Sequence, residues 1–75
     1  MARRTIHDTV GSFGTTRGGV FVTFNGYAAE YLVRSENARF AGIVGALARS
    51  WAAQASIAIV INGTTIVDVA PRGGE

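Results

Sequence analysis

Apolar and polar residues alternate from Val20 to Phe24 and again from Tyr27 to Val33, and Asn25-Gly26 separates the two runs. A period of two places successive side chains on opposite faces of a strand. Asn-Gly is the strongest short signal for a hairpin, because both central residues of a type I′ turn need positive φ. A two-residue loop sets Phe24 opposite Tyr27, Val22 opposite Ala29 and Val20 opposite Tyr31, all on one side of the ribbon. That side is the expected core face. The reverse carries Phe21, Thr23, Ala28, Glu30 and Leu32, which is more apolar than a freely solvated face.

A second ribbon is predicted from Ser56 to Ile61 and from Thr65 to Val69, about Asn62-Gly63. Its apolar run is nearly unbroken, which implies burial on both faces. Asp68 interrupts it and is expected either to end the strand in solvent, the favoured reading, or to meet an arginine across an interface. Between the ribbons lies one helical stretch, from Ser35 or Asn37 to Ala53, opened by residues that cap well and by Glu36 near the positive end of the helix dipole. At about 100° per residue, Phe40, Ile43, Val44, Leu47 and Trp51 form one stripe, the expected core face. The opposite stripe holds Ala38, Gly42, Gly45, Ala46, Arg49 and Ala53, where a solvated helix normally shows Glu, Lys and Gln. Each interior glycine costs about 1 kcal/mol relative to alanine, so this face is expected to be covered by a close neighbour.

Thr5 to Phe13 reads as one further strand, leading into the turn-rich stretch Gly14 to Gly19. The residues after Val69 read as a frayed tail, since Pro71 and the glycines stop a strand without starting another element. The order is strand, strand, strand, helix, strand, strand in one domain, residues 1–75, with an ordered core of about 5–70.

Length and composition sharpen the picture. A chain of 75 residues buries only about 60% of the surface its unfolded form exposes. It contains no cysteine, which removes disulfides and thiolate metal sites together. Oligomerisation is then the remaining way to enlarge a marginal core. Charged residues make up 16% of the chain, against about 25% in an average soluble domain. All seven basic residues are arginine and the net charge is +2, a weak field for a dedicated nucleic-acid binder. No leader and no bilayer-spanning run is readable, so the chain reads as cytoplasmic as written, or secreted if a leader has been removed.

Catalytic chemistry is not visible. His7 and Asp8 are neighbours on a strand and point to opposite faces. With one histidine, no cysteine and no Gly-x-Ser-x-Gly elbow, no activated nucleophile is indicated. The glycine-rich stretch Gly11 to Gly19 lacks a Gly-Lys-Ser/Thr ending and opens a strand, so it is no phosphate cradle. One histidine and scattered acids furnish no metal shell. No enzyme, metal or cofactor is expected. Aromatic residues beside Arg3, Arg4, Arg17, Arg34 and Arg39 suggest a single-stranded nucleic-acid surface. The hairpin register turns Tyr27 and Tyr31 inward and leaves Arg17, Phe21 and Arg34 as its candidate residues.

Five short antiparallel strands with one helix between the third and fourth describe a small OB-like barrel. In the hairpin Val20–Val33, the small-residue helix Asn37–Ala53 and the closing hairpin Ser56–Val69, the chain resembles the B subunits of Shiga-type bacterial toxins. The resemblance covers about residues 5–70 and is one of layout. It implies a pentameric ring with the helices around a channel, and cell-surface glycans as ligands. The expectation is therefore a non-enzymatic homo-oligomeric module whose helix face, Ala38, Gly42, Gly45, Ala46, Arg49 and Ala53, meets another copy. The alternative is an OB-like domain for single-stranded nucleic acid.

Overall fold

The computed structural model describes residues 3–70. Six strands and one helix follow in the order β1 (Arg4–Asp8), β2 (Val10–Thr16), β3 (Gly19–Phe24), β4 (Tyr27–Arg34), α1 (Phe40–Ala53), β5 (Ile57–Asn62) and β6 (Thr65–Ala70). The single N-terminal strand expected over Thr5 to Phe13 is broken at Thr9. The Asp8 carboxylate causes the break, accepting the Thr9 N–H at 2.7 Å and the Gly26 N–H at 2.7 Å. The Thr9 carbonyl accepts the Asn25 N–H at 3.2 Å. Backbone groups that would have continued one ladder are thus spent on the tip of the β3–β4 hairpin.

The strands form one six-stranded sheet in the order β1-β5-β6-β4-β3-β2. This corrects the expected five-stranded OB-like barrel: the sheet is open, with no ladder between β1 and β2, and the helix follows the fourth strand. The two end strands are nevertheless consecutive in the chain, so the sheet curls until they meet at Thr9. Principal extents of 27, 26 and 25 Å agree with a curled sheet. All ladders are antiparallel except the short contact of β4 with β6, where Leu32 lies opposite Thr65.

In the first ribbon Phe24 faces Tyr27 as expected, but an irregularity at Thr23/Phe24 then sets Val22 opposite Tyr31 and Val20 opposite Val33. The slip is of two residues, so side chains keep their faces: Tyr31 and Val33 are buried, and Tyr27 and Ala29 pack against the core. At the other end of β3, Gly19 adopts φ 149°, and a Cβ there would lie 2.0 Å from the Val33 carbonyl oxygen. No other residue fits that approach. In the second ribbon Asn62 pairs with Thr65, and the loop is Gly63-Thr64. Val67 is extra in β6, which lets both Ile66 and Val69 turn inward. The outer side chains Ala58, Val60 and Val67 are half-buried, so the expected burial on both faces is incomplete.

The inner face of the curled sheet carries Ile6, Val10, Val22, Val33, Ile59, Ile61 and Ile66, with Phe24 and Tyr31 in ring contact at 5.5 Å between centroids. α1 lays Ile43 and Leu47 on this core, and full burial of such a side chain contributes roughly 1.5–3 kcal/mol. The helix starts later than expected. Asn37 accepts the Arg39 N–H at 2.7 Å and donates to the Val67 carbonyl at 3.2 Å, so it holds a turn against β6 rather than capping the helix. Ser50 completes the inward stripe in place of Trp51. Its buried hydroxyl donates to the Ala55 carbonyl at 2.6 Å and accepts from the Val10 N–H at 3.4 Å, tying the end of α1 to the start of β2. Gln54 then closes the helix in a left-handed conformation, φ 54°.

Candidate functional site

The outward face of α1 is built almost wholly of small residues. Ala41, Gly42, Arg49, Ala52 and Ala53 are exposed, and Gly45 is half-buried. Arg49 is the single charged side chain of the helix. A Cβ at Gly42 would have nothing within 4 Å, and one at Gly45 would meet only the Arg49 guanidinium, at 3.6 Å. Among the described residues no contact therefore accounts for either glycine. Two members of the expected interface sit elsewhere. Ala38 lies in the exposed turn ahead of α1, and Ala46 packs against the core.

Arg17, Phe21 and Arg34 are drawn to one end of the β3–β4 ribbon. Arg17 lies exposed in the β2–β3 turn, and Gly19 pairs with Arg34 across the ladder. The Ser35 N–H also bonds the Gly18 carbonyl at 2.9 Å. Arg34 is partly engaged, since its Nε donates to Glu36 at 2.9 Å. Glu36 thus serves an exposed ion pair rather than the helix dipole. Phe21 is half-buried on the outer sheet face, its ring lying over Gly14 of the neighbouring strand. Leu32 is its cross-strand partner, and Glu30 stands exposed one outward row away, opposite Thr23.

Three arrangements were not anticipated. Trp51, expected in the core, is 47% exposed and meets Phe13, 39% exposed, edge to face at 5.4 Å between centroids. Its position about 80° from Ile43 on the wheel places it at the margin of the inward stripe, a signal overridden by its hydrophobicity. Asp68, expected in solvent, pairs with Arg39 of the same chain at 3.2 Å. Asp8 gives its carboxylate to two backbone N–H groups, so its neighbour His7, exposed on β1, has no acid–base partner in it. Among the described residues no group of three or more His, Asp or Glu could hold a metal ion, and no helix is long and apolar enough to cross a membrane.

Compared with protein-family models, with curated proteins and with solved structures, the chain matches none. No residue role is therefore inherited from a relative. The surfaces speak only through their own chemistry.

Proposed function

We propose that this chain is a non-enzymatic self-associating module, joined to further copies of itself through the outward face of α1. The observation that carries this reading is Gly42. It sits inside a helix where glycine costs about 1 kcal/mol relative to alanine, and nothing among the described residues uses the space it leaves. Close approach of a second backbone or side chain accounts for that choice. A helix of fourteen residues with one charge presents an outward face poorly matched to water.

Light scattering coupled to size exclusion, at tens of micromolar protein, reads the subunit number directly. An assembly of two or more copies is expected, and a monodisperse monomer overturns the reading. Gly42→Ala adds a test of sign. In a lone copy the added methyl meets open space and stabilises the fold by about 1 kcal/mol. In an assembly packed on Gly42 it raises the dissociation constant instead.

Single-stranded nucleic acid along Arg17, Phe21 and Arg34 is the second reading, favoured by the meeting of the Arg17 turn with Arg34. Glu30 on the same face and the Arg34–Glu36 pair oppose it. Anisotropy of a labelled oligonucleotide at two salt concentrations separates the two, because phosphate contacts weaken steeply with salt.

A further inference from the structure

Two faces of this molecule lack a partner among the described residues, and they are of opposite character. The outward face of α1 is a shallow surface of glycine and alanine bearing one cation, Arg49. The outer face of the β3–β4 ribbon carries a half-buried apolar pair, Phe21 and Leu32, with one anion beside it, Glu30. The other acids of the described residues are engaged: Glu36 with Arg34, Asp68 with Arg39, and Asp8 with two backbone N–H groups. Glu30 has no ion pair among the described residues, and neither has Arg49.

The spacings agree as well. Glu30 and Leu32 are successive outward positions on β4, about 6.8 Å apart along a strand. Gly45 and Arg49 are one helical turn apart, about 6 Å along the axis. A helix laid along β4 therefore sets Arg49 over Glu30 when Gly45 lies over Leu32.

We propose that α1 of one copy docks on the outer sheet face of the next, with Arg49 against Glu30 and Gly42 and Gly45 over Phe21 and Leu32. This rests on the self-association reading above and names its second surface. The contact is head-to-tail, since it joins unlike faces, and such contacts close into rings or run on as filaments. Every copy in a closed ring uses both faces, so each copy takes part in two contacts.

Charge reversal with rescue tests the pairing. Arg49→Glu and Glu30→Arg are each expected to raise the apparent dissociation constant of the assembly about tenfold, and the double variant to return it to within about threefold of wild type. Arg4→Glu, a reversal of equal size on β1, which neighbours neither β3 nor β4 in the sheet, is expected to leave assembly unchanged. The milder Arg49→Gln and Glu30→Gln changes, read beside circular dichroism, keep loss of assembly separate from loss of fold. A wild-type monomer overturns self-association and this pairing together. A wild-type assembly that ignores either reversal, or a double variant as weak as the singles, overturns the pairing alone and leaves self-association standing.

Discussion

The chain contains Asn-Gly twice, and the two pairs do different work. At Asn25-Gly26 the dipeptide is the loop itself, yet neither residue has positive φ. Gly26 is required for space, because a Cβ there would lie 2.9 Å from the Asp8 carboxylate that holds its N–H. At Asn62-Gly63 the asparagine ends β5, and Gly63 enters the loop at φ 66° with nothing within 4 Å of its Cβ position. One glycine answers to a neighbour from another strand and the other to its own backbone. The same two letters thus mark a turn in both places without fixing its geometry.

Substitutions can break this contrast, beginning with the group that creates it. Asp8→Ala removes two charge-assisted hydrogen bonds to backbone N–H groups and frees the β1–β2 corner from the hairpin tip. It is expected to cost about 2–3 kcal/mol, a fall of about 10–20 °C in the thermal midpoint of a domain this size. A midpoint within 3 °C of wild type would show that the corner is held by other contacts.

Gly26→Ala displaces the carboxylate and loses part of the same interaction, about 1.5 kcal/mol. In the Asp8→Ala background the same change should be nearly silent, and a double-mutant cycle in urea measures the coupling. Additive losses would break the link between Gly26 and Asp8.

Gly63→Ala costs about 1 kcal/mol for placing a Cβ in the left-handed region, and it should be additive with Asp8→Ala. Gly63→Asn sharpens the contrast further. Asparagine tolerates that region, so the loss should fall below about 0.5 kcal/mol. Gly26→Asn, by contrast, should be as damaging as Gly26→Ala. Equal responses at the two sites would erase the distinction.

The legible part of the fold is what periodicity controls. The faces of β3 and β4 are as the alternation predicts, and they remain so through a two-residue slip because parity is conserved. The inward positions of Ile43 and Leu47 follow from the helical period in the same way. Misreadings occur where a side chain's class competes with its position. Trp51 looks like core by hydrophobicity, but the rotation of α1 gives the central place to Ser50, whose hydroxyl satisfies the Ala55 carbonyl and the Val10 N–H. A buried serine with two backbone partners has no periodic signature. For the candidate surfaces, the charge-poor helix face was readable from Gly42, Gly45 and Arg49. The isolation of Glu30 was not, because it depends on which arginines the other acids have found.

By itself the sequence determined the element types, the apolar face of each ribbon and the shortage of charge on α1, since these depend on residue spacing and composition alone. The tertiary structure decided the break at Thr9, the six-strand order and the set of ions left unpaired. Those features arise from contacts between residues far apart in the chain, such as Asp8 with Gly26 and Arg39 with Asp68. Local periodicity carries no information about such meetings.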